Sequence, residues 1–219
     1  MRCPVCNNEG CRAFLSVNDR DYWRCETCLA TFLDPLQHPS SQDELAQYYL
    51  HRNDPMDTAY RAFLDRAASP LLERLPPAQQ GLDFGCGPGP ALAVMLREAG
   101  HTVALFDPFF YPDPAVLAGT YDFITCTEVA EHFHRPAEEF SKLDALLNPG
   151  GWLALMTTLQ HDDAKFANWH YRRDPTHVVF YREATLRYLA AYHGWHCEFP
   201  FPNVALMHKP VTHHLENSG

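Results

Sequence analysis

Four cysteines near the start of the chain form two Cys-x-x-Cys steps, Cys3-Pro4-Val5-Cys6 and Cys25-Glu26-Thr27-Cys28, separated by the 18 residues Asn7 to Arg24. Each step turns tightly enough to aim two thiolates at one point, and four thiolates complete the tetrahedral shell of a structural zinc ion. A pair of redox dithiols is the alternative, but a redox motif belongs at a strand-to-helix junction of a βαβ unit, and neither step has that setting. A closed four-thiolate shell leaves no open position, so it organises structure and activates no water. Cys11, Cys86, Cys126 and Cys197 lie outside the pattern and are expected to pack as small apolar residues.

A second constellation begins at Leu82-Asp83-Phe84-Gly85-Cys86-Gly87-Pro88-Gly89. Glycines at this spacing let a strand reverse into a helix while the backbone comes close to a ligand, where a Cβ would obstruct. Asp107 follows 18 positions after Gly89, at the end of the next strand signal, near the spacing at which a carboxylate accepts both ribose hydroxyls. A dinucleotide fingerprint needs its third glycine five positions after the first. That position is Pro90, and the third glycine comes one residue early, so a nicotinamide cofactor is disfavoured.

A third cluster is Ala167-Asn168-Trp169-His170-Tyr171-Arg172-Arg173-Asp174-Pro175-Thr176-His177, a non-periodic stretch rich in titratable groups. Placed after a core strand, it hangs over the carboxyl edge of the sheet, where a ligand lies. Histidine titrates near neutral pH, so His170 or His177 is the candidate general base, with Tyr171 and Arg172 or Arg173 binding an acceptor. The alternative is a lid fixed by Asp174 and the arginines, with both histidines bonded only to backbone. His132, in Glu128-Val129-Ala130-Glu131-His132, is a second candidate, although its spacing from Glu128 equally fits plain helix electrostatics. A further metal site from His132, His134, His161, Asp162 and Asp163 lacks compact ligand spacing and is discounted.

Elements must hold these groups in place. Helical periodicity runs over residues 42–50 and 58–75, the latter stopped by Pro76-Pro77. From Gly81 strand and helix alternate: strands at 82–84, 101–106, 121–125, 152–156, 195–199 and 204–208, helices at 91–99, 136–147 and 183–193, with Pro90 at the first helical position. Such alternation means a mostly parallel sheet covered by helices on both faces. The 219 residues suffice for one such domain and a small appendage. Of them 46% are hydrophobic and 20% charged, which excludes wholesale disorder. No apolar run is long enough to span a bilayer and no apolar leader follows Met1-Arg2, so a cytoplasmic protein without a membrane partner is expected. Seventeen basic against 27 acidic residues give a net charge of −10, which makes nucleic acid an unlikely partner.

The glycine motif resembles the first motif of class I S-adenosylmethionine-dependent methyltransferases. Asp107, the stretch Tyr121 to His132 and Leu147-Asn148-Pro149-Gly150-Gly151-Trp152-Leu153 match that family in the same order. The cysteine box, the Asp34-Pro35 linker and Tyr48-Tyr49 are similar to a subgroup containing sugar C-methyltransferases. The resemblance implies a Rossmann-like α/β fold with an N-terminal zinc ribbon, and S-adenosylmethionine beside structural zinc. It implies that Asp83 orients the loop or receives the cofactor's amino group, and that Gly85, Gly87 and Gly89 admit its methionine part. Asp107 would hold the ribose, and Thr127 with Glu128 would line the floor near the sulfonium. One departure is that only the 13 residues Pro108 to Thr120 precede the next strand, leaving little room for the family's third strand and its adenine-binding acid. Asp113, or Val116 with Leu117, would substitute.

The expected organisation is a zinc-ribbon module at 1–34, a linker and helical lid at 35–77, a cofactor-binding methyltransferase domain at 78–210 and a flexible tail at 211–219. The expected activity is methyl transfer to a small-molecule or sugar-like acceptor. The rivals are an RNA or protein methyltransferase that docks through the ribbon, and a non-catalytic zinc-ribbon interaction protein. Within the ribbon Arg2, Arg12, Arg20 and Arg24 are balanced by Glu9, Asp19, Asp21 and Glu26, which gives no electrostatic reason to favour RNA.

Overall fold

A computed structural model describes residues 1–50 and 53–211. The expected tail at 211–219 therefore lies, apart from Val211, outside the described residues. Ten strands form two sheets. In the larger one the order is β5 (Thr102–Phe106), β4 (Gln80–Phe84), β6 (Tyr121–Thr127), β7 (Leu147–Met156), β10 (Val204–His208), β9 (His196–Phe201). The first four run parallel, and β10 and β9 add as an antiparallel edge.

Successive strand side chains point to opposite faces, so each parallel strand feeds two cores. Leu82, Ile124, Leu153 and Leu155 pack with Phe140 and Leu143 of α4 (Pro136–Leu146) and Leu186 and Leu189 of α5 (Glu183–His193). Phe123, Met156 and Leu206 pack on the other side with Leu64 and Leu71 of α2 (Thr58–Leu72) and Leu92 and Leu96 of α3 (Ala91–Glu98). Each of these side chains is at most 3% exposed. The expected alternation holds, with two adjustments. Pro90 is the N-cap of α3 and not its first helical residue, since its ψ of 64° is outside the helical range. The segment after Asp107 forms a short 3-10 turn, Pro114–Ala118, with no strand, so β5 is the sheet edge.

The smaller sheet joins the two ends of the chain. β1 (Cys11–Val17), β2 (Arg20–Cys25) and β3 (Thr31–Leu33) form an antiparallel meander, and β3 then pairs with β8 (Val179–Phe180), just beyond the histidine-rich stretch. Cys3, Val5, Tyr22, Phe32 and Leu33 belong to the same apolar cluster as the central sheet. The ribbon is thus sewn into the domain rather than tethered beside it. Between ribbon and domain, α1 (Ser41–Tyr48) opens with a capping box between Ser40 and Asp43. No helix among the described residues is long and apolar enough to cross a membrane.

Candidate functional site

The two cysteine steps fold as copies of one turn. Asn7 and Leu29, each following the second cysteine of its step, have φ of 62° and 63°. The amide of each donates back to the carbonyl of the first cysteine, at 3.0 and 3.1 Å. Cys3 Sγ lies 3.6 Å from Cys28 Sγ and Cys6 Sγ 3.5 Å from Cys25 Sγ, and all four sulfurs are within 4.8 Å of one another. A tetrahedral zinc with bonds of about 2.3 Å sets its sulfurs roughly 3.8 Å apart, so the donor set fits that ion. A hydrogen bond from Cys28 draws the Cys3 thiol down to about 5, and the same bond, with burial, pushes the Cys28 thiol far above the usual thiol range. Cys11 stands outside the set, its thiol raised to about 12 by burial.

The central feature is a cavity of about 810 Å³ at the carboxyl ends of β4, β5 and β6. One wall is backbone. The amides of Gly85 and Cys86 donate to Phe106 O at 2.7 and 3.2 Å, tying the glycine loop to the end of β5. Gly85 and Gly87 take φ of +75° and +64°, values that a side chain would strain. Space forbids a Cβ as well, but mostly because of the protein itself. A Cβ on Gly85 would lie 2.5 Å from a Val129 methyl, and one on Gly89 1.8 Å from Asn53 O. Gly87 has only the Asn53 side-chain nitrogen near, at 3.0 Å. Of the three glycines, Gly85 and Gly87 line the cavity, and Asn53 covers Gly89.

Asp83 and Asp107 both line this wall. Asp83 is buried, accepts from Thr125 Oγ1 at 2.7 Å, and is raised to about 6 by burial. Asp107 Oδ2 accepts from Gly87 N at 3.0 Å, and Oδ1 from Phe109 N and Phe110 N at 2.9 and 3.0 Å. A carboxylate has about four acceptor sites, so lone-pair capacity is left mainly on Oδ2. Asp107 clamps the loop and faces the cavity with the same group.

The opposite wall is made of side chains. Thr127 ends β6 and Glu128 follows it, with a φ of +53°, rare for a residue with a side chain. Burial, reinforced by the charge of Glu131, raises the Glu128 carboxyl to about 9, and its Oε1 has no hydrogen-bond partner among the described residues. Glu131 is fully buried and also raised by burial. It accepts from Tyr171 OH at 2.5 Å and Thr157 Oγ1 at 2.9 Å, and Glu128 Oε2 lies 3.4 Å from the same phenol. His177, lowered by burial, donates through Nδ1 to Tyr171 O at 2.7 Å. His132 does the same to Thr176 O at 3.1 Å, and the two rings meet edge to face at 4.8 Å.

His132, His177, Thr127 and Glu128 line the cavity, whereas His170, Tyr171, Arg172 and Arg173 do not. His170 and Arg173 are exposed. Tyr171 is buried behind the wall and holds Glu131. Arg172 is buried too, away from the cavity lining, and its bonds to Ala167 O and Tyr22 OH tie the lid to the ribbon. The helical spacing of Glu128 and His132 is not realised, because the left-handed Glu128 precedes a short 3-10 turn, Ala130–His132. Asp113, Val116 and Leu117 are absent from the cavity lining, and Phe109 and Phe110 line it in their place. Sequence reasoning missed Phe109, Phe110, Asn53, Tyr60 and Glu131. The aromatic pair directly after Asp107-Pro108 was the available signal for the first two.

Residues 51–198 match the family model described as a methyltransferase domain. The chain belongs to that family, and the class it defines is S-adenosylmethionine-dependent methyltransferases. No curated protein matches the chain. Among solved structures, the 1,6-didemethyltoxoflavin-N1-methyltransferase of Burkholderia thailandensis, crystallised with 1,6-didemethyltoxoflavin and S-adenosylhomocysteine, is 16% identical. That match covers 91% of this chain and 99% of that one, with a TM-score of 0.55. An S-adenosylmethionine-dependent methyltransferase from Archaeoglobus fulgidus is 17% identical over 72% and 75% of the two chains, with a TM-score of 0.51. At these identities the likeness extends to the fold.

Proposed function

We propose that the protein transfers a methyl group from S-adenosylmethionine to a small molecule, held between the glycine wall and the lid. The observation that carries the reading is the cavity itself. It runs past the glycine loop and Asp107, and its lining holds more carboxyl groups than cations, Arg135 and Lys142 being the only Lys or Arg side chains in it among the described residues. A lining of that sign suits a ligand with a sulfonium and an ammonium group and repels a nucleic-acid phosphate. Residues Gly85 and Gly87 would lie along the methionine part, Asp107 would take the ribose, and Phe109 or Phe110 would flank the adenine. When bound, the cofactor supplies an electrophilic methyl group. The side chains of Thr127 and Glu128 would border the space where the acceptor approaches.

An acceptor that must lose a proton needs a base on the lid side. Of the lid histidines, His177 is the one facing the cavity as a neutral imidazole, with His132 beside it. A small acceptor accords with a solved structure of the same fold that is bound to 1,6-didemethyltoxoflavin. The four cysteines are proposed to hold structural zinc, and the cysteine box with Tyr48-Tyr49 keeps a sugar-like acceptor as the narrower expectation. Calorimetry tests the reading: one equivalent of S-adenosylmethionine or S-adenosylhomocysteine should bind per chain. Binding of neither would leave a zinc-bearing scaffold and overturn it.

A further inference from the structure

Glu131, His132 and His177 each bring one ligand-capable atom to the lid side of the cavity, and these atoms all lie within 4.8 Å of one another. They come from two segments, the turn after β6 and the lid before β8, joined by the Thr176 and Tyr171 carbonyls. A carbonyl can only accept, so both imidazoles carry a hydrogen on Nδ1, and the neutral form of each ring has its lone pair on Nε2. Metal-binding histidines are held in this way, by a backbone or carboxylate partner on the other ring nitrogen. Glu131 is oriented likewise, one oxygen by the Tyr171 phenol and the other by Thr157.

Charge gives a second, independent reason. Glu131 is fully buried, Glu128 stands beside it, and among the described residues one Glu128 oxygen has no partner and no Lys or Arg side chain bonds to either carboxyl. Two neighbouring carboxyls in a buried wall are stabilised by a cation, or else keep a proton. Spacing is compatible as well. Bonds of about 2.1 Å put tetrahedral ligand atoms roughly 3.4 Å apart, so closing from 4.8 Å takes at most about 1.4 Å, shared between the two side chains of a pair.

We infer that Glu131, His132 and His177 bind a divalent metal cation whose open positions take oxygen atoms of the acceptor, which makes the acceptor a hydroxyl-bearing molecule. Two imidazoles and one carboxylate suit a first-row ion such as Mn²⁺, Fe²⁺, Co²⁺ or Zn²⁺ better than an all-oxygen ion such as Ca²⁺. With the cation seated, His177 would be a ligand and not a base; the cation would acidify the acceptor hydroxyl, whose proton would pass to solvent water as the methyl leaves the sulfonium for the hydroxyl oxygen and the cofactor departs as the neutral thioether. The acceptor class rests on the methyltransferase reading, while the cation site stands without it.

The experiment uses the full chain with its cysteines loaded with zinc, and Mn²⁺ as probe. Mn²⁺ is the weakest competitor of the divalent series and does not displace zinc from thiolates. Loss of the free-Mn²⁺ electron paramagnetic resonance signal should report one Mn²⁺ per chain, with affinity falling at least tenfold in His177→Ala and in Glu131→Gln. Should His177→Ala lose its folded circular dichroism spectrum, His132→Gln, at a partly exposed ring, carries the measurement. Mn²⁺ left free by the wild type, or bound equally by wild type and variants, overturns the site. Calorimetry with S-adenosylhomocysteine separates the two readings. Protein that binds the nucleoside but not Mn²⁺ keeps the methyltransferase and loses the cation site, and the reverse pattern does the opposite.

Discussion

The two walls of the cavity are built by different means. The glycine wall is contiguous in sequence: a strand, a five-residue loop and one aspartate eighteen positions later, held by bonds from backbone amides to Phe106 O and to the Asp107 carboxylate. The lid wall is assembled from distant segments, with Glu128 and Glu131 after β6, Thr157 after β7, and Tyr171 and His177 on the lid. The lid in turn leans on the ribbon, through Arg24 paired with Asp163 at 2.7 Å, Thr31 donating to Gln160 at 2.6 Å, and Tyr22 meeting Phe166 edge to face at 5.0 Å. A wall of backbone can be rebuilt by any chain with the right glycines. A wall of side chains depends on every element that holds it, and here that includes the cysteine cluster.

The largest effect should come from cutting that dependence. Cys25→Ser should lose its metal, because zinc affinity is folding energy in small cysteine modules. Elemental analysis should then find no zinc at the ribbon, limited proteolysis should cut within residues 160–180, and Cys11→Ser should retain the full metal content. Lid disorder without metal loss, or the reverse, would uncouple ribbon from lid. Next, Gly87→Leu should abolish binding of the nucleoside while the lid wall stays intact, read by calorimetry beside a thermal melt near that of wild type. The left-handed backbone at this position strains any side chain, and only Asn53 Nδ2 lies in the way. Unchanged affinity would remove this glycine from the cofactor wall.

Smaller still, Asp107→Ala should weaken nucleoside binding by about 1.5–3 kcal/mol through lost charge-assisted bonds. Part of that loss belongs to the clamp on Gly87 N, so Asp107→Asn, which keeps one acceptor oxygen, should fall between the two. A further expected effect, on stability rather than on binding, is a pH dependence. Glu128 has a folded-state carboxyl raised by burial from 4.5 to about 9, so the folded chain binds more protons than the unfolded chain between those values. Stability should therefore be highest below about pH 4.5 as far as this group goes, fall as pH rises through that window, and level off above about 9. Glu128→Gln should flatten that slope in denaturant titrations. An identical slope in both proteins would show that Glu128 does not titrate as its surroundings require.

The contrast between the walls also explains what the sequence disclosed. Periodicity, Gly-Pro punctuation and cysteine spacing are local signals, and they located β4 to β7, α2 to α5, both cysteine steps and the glycine loop within a few residues. The loop's chemistry was legible for the same reason, since Gly85, Gly87 and Asp107 act through nearby backbone. The lid wall was legible only in part. His177 and His132 stood out by residue type, but His170 and Arg173 did too, and nothing local says that the 3-10 turn over His170–Arg173 leaves those two exposed and buries Tyr171 and Arg172. The pairing of β3 with β8, which fastens ribbon to lid, links residues about 150 positions apart and has no local signature. Glycine reasoning was right in its demand and partly misplaced in its cause, for Val129 and Asn53 fill the space that a ligand was expected to claim.

The left-handed backbone of Glu128 carries a consequence of its own. Its amide is pinned to Met156 O at 2.7 Å, so the twist is imposed from below and throws a carboxyl group into a place where it stays protonated. Glycine would relax the twist and remove the buried acid together, and a Glu128→Gly chain should melt at a higher temperature than its parent while turning over more slowly. The protein thus carries at this corner a backbone twist and a buried acid that folding alone does not call for.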